Sequence, residues 1–271
     1  MTSPGTGSTI GAELRRWRDV RRISQLELAT RAGTTQRHLS FVEGGRSSPG
    51  RHLVLRLAES LDLSLRDRNT LLAAAGYAAA YTETSLDDPR LQPVRQALRQ
   101  VVAGHMPYPA LIAGPHGEIV DANAAIDLLT EGASPELCRP PLNIWRLALH
   151  PEGMAARVEN LAVWGRHVVA GLRARAARHP DARLDELVTE LVGYLPALPA
   201  TDRDYLGFAV PLRLRTADGT LRLITTLTSL ATAVDVTLAE LHLEAWLPAD
   251  GETADLLRRR ARTRGRGSAG S

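Results

Sequence analysis

Thr34, Thr35, Gln36, Arg37 and His38 gather five polar side chains at the start of one short helical run, ahead of its apolar residues Leu39 and Val42. Solvent alone does not require that clustering. With Leu39 and Val42 facing inward at i, i+3, the residues left outward are Thr35, Gln36, Arg37 and Ser40. A glutamine amide matches an adenine edge and an arginine fork matches a guanine edge in the DNA major groove. Arg46 lies just past the run, and Arg15 and Arg16 lie on the preceding first helix. All three are candidates for contacts to the phosphate backbone. Gln25 opens another helix, where its amide and the free N–H groups can meet a phosphate.

Such a reading surface needs a steep helix pair to present it. Ala29 supplies the small residue where two helices touch, and Gly33 supplies the turn between them. Ser24 is an N-cap with Glu27 three residues on, the capping-box spacing. The head is predicted as five helices, over about 9–22, 24–32, 35–43, 51–61 and 65–75, with Ile10, Leu14 and Trp17 on one face of the first.

Charge follows the same division. Residues 1–76 carry 12 arginines against 7 acidic residues, 77–251 carry 15 against 21, and 252–271 carry 6 against 2. A basic head on an acidic body suits a head that meets polyanions. The chain of 271 residues is 44% apolar, enough for one to two packed domains. No stretch approaches the roughly 18 apolar residues of a membrane span, and the short N-terminus is polar, so a soluble cytoplasmic protein is expected.

Past the head, 77–104 reads as a connection and a helix. "PALIAGPHGEIVDANAAIDLL" then reads as strand, turn, strand and helix, with Asn123 as an N-cap. A helical middle over 142–192 follows. "AVPLRLRT", "LRLITTLTSL" and "VDVTLAELHLEAWLP" read as strands, with Asp218-Gly219 as a hairpin turn and Val210, Leu212 and Leu214 alternating inward against Pro211, Arg213 and Arg215. The arginine- and glycine-rich tail, 251–271, is expected to be disordered.

Leucine-rich strands around a helical insert form either a filled core or an apolar cavity, and periodicity does not separate the two. Asn143, Arg146 and His150 fall on one helix face and are candidates to hold a polar head group. Met106 and Tyr108 are candidates for a pocket border. Trp145 and Trp164 fit either core or pocket. No catalytic constellation is predicted: the eight histidines lack zinc-ligand spacing, "GPHG" lacks phosphate-loop spacing, and Cys138 is the single cysteine. The expectation is a non-enzyme without metal or cofactor.

Ser24–Pro49, "SQLELATRAGTTQRHLSFVEGGRSSP", resembles the XRE family, the helix-turn-helix group that includes lambdoid phage repressors. The resemblance implies that Gln25 and Arg46 hold phosphates and that Gln36, Arg37 and Ser40 face bases. Phe41 stands where some relatives carry a polar reader, which implies apolar readout such as a thymine methyl. The blocks "SLDDPRLQPVRQAL", "PYPALIAGPHGEIVDANAA", "NIWRLALHPEG", "VPLRLRTADGTLRLITTLTSL" and "VDVTLAELHLEAWLPAD" resemble, in order, the ligand-binding domain of MmyB-like regulators. That implies a PAS-like domain that binds a fatty acid or similar long apolar molecule.

The expected architecture is therefore multidomain: an all-α, lambda-repressor-like five-helix domain over 1–76, then an α+β PAS-like domain over 105–250. The expected function is ligand-responsive transcription regulation on operator DNA as a homodimer. The alternative is a DNA-binding protein whose second domain only dimerises or docks a partner.

Overall fold

A computed structural model of the chain describes residues 9–196, 210–230 and 232–268. The chain divides into two compact units. One comprises Met1–Ser85 with Ala177–Pro180 and Thr232–Ala239; the other comprises Leu86–Ala176, Asp181–Ala231 and Glu240–Ser271.

The first unit is built on five helices: α1 (Ile10–Arg21), α2 (Gln25–Arg31), α3 (Gln36–Glu43), α4 (Arg51–Ser60) and α5 (Leu65–Ala74). Local chemistry sets their starts. The hydroxyls of Thr9, Ser24, Thr35 and Ser64 each accept from the backbone N–H three residues on, which satisfies a donor the helix cannot. Gly33, at φ +63°, turns the chain between α2 and α3 in the left-handed conformation that glycine adopts without strain. Leu14, Trp17, Leu28, Leu39, Val42, Leu57 and Leu72 fill one core. α1 meets the end of α3 backbone to backbone. A Cβ on Gly11 would lie 2.5 Å from the carbonyl oxygen of Glu43 and 2.8 Å from that of Val42.

Asp235 organises the segment that the second half of the chain contributes to this unit. Its carboxylate accepts from the Thr82 and Thr84 hydroxyls and from the Thr84 N–H. It also accepts from the N–H groups of Thr237 and Leu238, and so starts a short helix, α11 (Val236–Glu240). The strand predicted over this stretch therefore begins later, at His242. A capping aspartate anchored from 151 residues away in sequence overrides the local β pattern.

The second unit centres on one antiparallel sheet of β1 (Ala110–Ala113), β2 (Ile119–Ala122), β3 (Leu212–Thr216), β4 (Gly219–Ser229) and β5 (His242–Pro248), in the order β2-β1-β5-β4-β3. α6 (Gln92–Ala103) precedes the sheet. α7 (Asp127–Thr130), α8 (Ile144–Leu149), α9 (Leu161–Arg178) and α10 (Ala182–Gly193) are inserted between β2 and β3. Leu111, Leu212, Leu214, Leu221 and Leu223 pack with Trp145, Leu147, Trp164 and Leu187 in a common core. Asn123 starts the turn after β2 as expected, accepting from Ala125 N–H.

Two further expectations give way. Pro211 is buried with its neighbours Val210 and Leu212 rather than facing out, and its carbonyl accepts from the buried Asn160 amide. The 251–271 stretch is not a disordered tail over its described length: it forms α12 (Gly251–Ser268). Asp250 accepts from Thr253 N–H, Ala254 and Leu257 are buried, and Arg260 pairs with Glu131. Arginine-rich composition hid a short apolar stripe.

The close approach of α1 and α3 is testable. Gly11→Ala should cost about 1–3 kcal/mol through overpacking against backbone, read as a lower urea midpoint for hydrogen exchange in α1 and α3. Unchanged protection would contradict the contact.

Candidate nucleic-acid interface and ligand domain

Thr35, Gln36, Arg37 and Arg46 are exposed and Ser40 is half-buried, whereas Leu39 and Val42 are enclosed. The front of α3 thus presents the predicted polar surface. Thr35 Oγ1 is engaged as the cap, accepting from His38 N–H. Phe41 is a platform: the Arg37 and Arg46 guanidiniums lie 5.5 and 4.5 Å from its ring centre. A cation over an aromatic face is held electrostatically, so the two arginines are gathered on one side of the helix.

Behind that surface stands Glu43, only 5% exposed. Arg18 donates to both of its carboxylate oxygens, at 3.1 and 3.4 Å, and Gln25 Nε2 donates to Oε2 at 2.8 Å. Arg15 donates to its backbone carbonyl at 3.0 Å. Gln25 and Arg15, both candidate phosphate contacts, are thereby oriented by one residue, Gln25 through the buried carboxylate and Arg15 through the backbone carbonyl. Arg16 goes elsewhere, pairing with Glu13 and lying over the Trp17 ring at 4.6 Å.

The candidate ligand residues of the second unit are occupied by the protein itself. Asn143 Oδ1 accepts from the N–H groups of Trp145 and Arg146 and its Nδ2 donates to His116 O, capping α8. Arg146 makes a two-point pair with Glu190 at 2.7 and 2.7 Å. That hydrogen bond holds the Glu190 carboxyl below the usual range despite partial burial, and raises Arg146. Tyr194 donates to the same Glu190, and burial together with this bond pushes its phenol up to about 12. His150 meets the Tyr194 ring edge-on at 4.7 Å and accepts from Glu152 N–H. Asn143 and Arg146 border a cleft of about 300 Å³ lined mainly by charged side chains, among them Glu118, Arg183 and Glu186. Trp145 and Trp164 sit in the core and Tyr108 packs against it. Met106 borders a crevice of about 20 Å³ with Leu128 and Leu257.

Comparison with known proteins matches residues 9–71 to a helix-turn-helix domain model. Residues 94–259, more than half of the chain, match the model of the MmyB-like transcription regulator ligand binding domain. The chain belongs to the MmyB-like transcription regulators. It carries a helix-turn-helix domain at its N-terminal end and an MmyB-like ligand-binding domain after it. A curated relative, the uncharacterized HTH-type transcriptional regulator y4dL of Sinorhizobium fredii, is 39% identical over 56 residues, which is 21% of this chain and 29% of the relative's length. Among solved structures, the restriction-modification controller protein C.AhdI from Aeromonas hydrophila is 30% identical and covers 22% of this chain and 89% of its own, with a TM-score of 0.21.

In this MmyB-like regulator the residue that sequence reasoning missed behind α3 is Glu43. Its signal was present: Leu39, Val42 and Glu43 fall at i, i+3, i+4, so the buried stripe includes the glutamate. Breaking a buried pair leaves its partner uncompensated, which typically costs about 3–5 kcal/mol. Glu43→Ala, which leaves an Arg18 side chain only 17% exposed with Asp19 and the Ile23 carbonyl as its remaining partners, should destabilise the first unit by up to about that amount in denaturant titration. A loss under about 1 kcal/mol would show that Glu43 is not the organising partner.

Proposed function

We propose that the chain is a cytoplasmic, ligand-responsive regulator that binds operator DNA as a homodimer. In this reading α3 lies in the major groove with Gln36, Arg37 and Ser40 at base edges, and half-sites lie about one helical turn, ~34 Å, apart. Arg46, Gln25, Arg15 and Arg16 serve the phosphates, and Thr35 opens the helix at the groove. The observation that carries this is the front of α3: an exposed polar face with two arginines gathered on Phe41, backed by Glu43, whose buried carboxylate orients Gln25 and whose backbone carbonyl orients Arg15.

The second unit, in the same reading, is PAS-like and binds a small apolar molecule, an acyl chain such as a long-chain fatty acid. Ligand acts by binding one DNA-affinity state better than the other, because only differential affinity shifts a population. The family's ligand-binding domain and the sheet with its helical insert support this. Asn143, Arg146 and His150 are satisfied within the protein, so the chemistry of the head group is sought elsewhere in the unit.

Duplexes selected from a random pool by the purified chain supply the test. Arg37→Ala should cost about 1–3 kcal/mol at one base position and relax specificity there. Preference unchanged at every position would remove α3 from the groove. Arg46→Ala should weaken all sequences alike and reduce the slope of log K against log salt by about 0.9; a sequence-selective loss would instead make Arg46 a base reader.

A further inference from the structure

The core-facing side of the sheet changes character along β4 and β5. Register sets Thr225 beside Trp246, Leu227 beside Glu244 and Ser229 beside His242, and directly paired residues of antiparallel strands share a face. This is the face that carries Leu221 and Leu223 into the core. Leu227 is nevertheless 65% exposed, with Thr225 and Ser229 exposed on either side of it. The face that carries the core leucines is thus open at Leu227.

The β5 residues next to it are buried and polar. His242, Glu244 and Trp246 are 5%, 6% and 3% exposed. His242 Nε2 and Trp246 Nε1 are enclosed without a hydrogen-bond partner among the described residues, a costly state for a buried polar atom. The Trp145 ring lies nearly parallel to His242, 6.1 Å away, and the Arg175 guanidinium lies 5.9 Å from the Trp145 ring centre. Arg175 makes no hydrogen bond or ion pair among the described residues, although a guanidinium carries five donors. Burial pushes Arg175 below its ordinary value, while Glu244, Asp181, Glu240 and Glu118 oppose that shift. Asp181 and Glu118 both face His116, at 2.7 and 3.7 Å, and Glu240 has a partner of its own. Glu244 faces His242, at 3.3 Å.

We propose that this half-covered face is the ligand seat of the second unit: hydrocarbon covers Leu227, and an acyl carbonyl head accepts hydrogen bonds from Arg175 and the Trp246 indole N–H. The inference rests on reading the unit as a binder of an acyl chain, and it supplies the residues that receive the head.

The test is calorimetric titration of the delipidated full chain with palmitate, methyl palmitate and hexadecan-1-ol, which keeps the chain and lacks the carbonyl. Arg175→Gln should weaken palmitate at least tenfold and hexadecan-1-ol less than twofold. Trp246→Phe keeps the ring, loses only the N–H and should weaken palmitate threefold or more, which guards against a misfolded Arg175 variant. Methyl palmitate binding within threefold of palmitate would assign an uncharged carbonyl to the seat; binding ten times weaker would assign the carboxylate. Palmitate affinity unchanged in both variants, with the wild type binding it, would overturn the head seat and leave acyl binding standing. No binding of any of the three by the wild type would overturn acyl binding and the seat together.

Discussion

The buried carboxylate of Glu43 is the interaction on which the DNA-binding unit depends. It sits at the last turn of α3 and receives the guanidinium of Arg18 from α1 and the amide of Gln25 from α2. Three helices are thus tied at one point. Its own backbone carbonyl takes Arg15 and approaches Gly11 closely enough to exclude a Cβ there. A carboxylate taken out of water is unfavourable unless paired and hydrogen-bonded. The arrangement therefore specifies one helix geometry more than it adds stability, because any other packing would leave the charge bare. That geometry directs the front of α3 outward and places Gln25 at the start of α2. The outward residues can remain polar because the constraint that positions them lies behind.

The second unit solves a different problem. Most of its sheet is covered on the core-facing side by leucines and by Trp145 and Trp164 from the insert. The polar residues along α8 are engaged within the unit: Asn143 caps, Arg146 pairs with Glu190, and His150 packs on Tyr194. On β5, His242 and Trp246 hold side-chain nitrogens without hydrogen-bond partners among the described residues, and the Arg175 guanidinium of α9 lies near the Trp145 ring that stacks on His242. The helix-turn-helix domain is helical, and the ligand-binding domain is built on a sheet.

What was legible in the sequence was what is decided locally. Ser24 and Thr35 as caps, Gly33 as the turn and the strand-turn-strand at 110–122 each depend on a few adjacent residues, and each stands where the pattern put it. The polar front of α3 was legible because its buried partners Leu39 and Val42 share the helix. The losses came from distance in sequence. α11 replaces a strand because Asp235 is held by Thr82 and Thr84. α12 was masked by arginine content, although Ala254 and Leu257 carry a buried stripe. Helical spacing united Asn143, Arg146 and His150 but did not reveal Glu190 and Tyr194, which engage the last two from a distance in sequence. Arg175, His242 and Trp246 could not be grouped before the register of β4 with β5 was known, since their neighbourhood exists only across strands and between layers.

Coupling between the two units is the central claim, and DNA affinity with and without ligand measures it most directly. The delipidated full chain would be titrated against its selected duplex at fixed salt, then again with palmitate at a concentration shown by calorimetry to saturate it. The account predicts at least a tenfold change in Kd, with the reciprocal change in palmitate affinity that linkage requires when duplex is present. Equal DNA affinities for the empty and the saturated chain would contradict it.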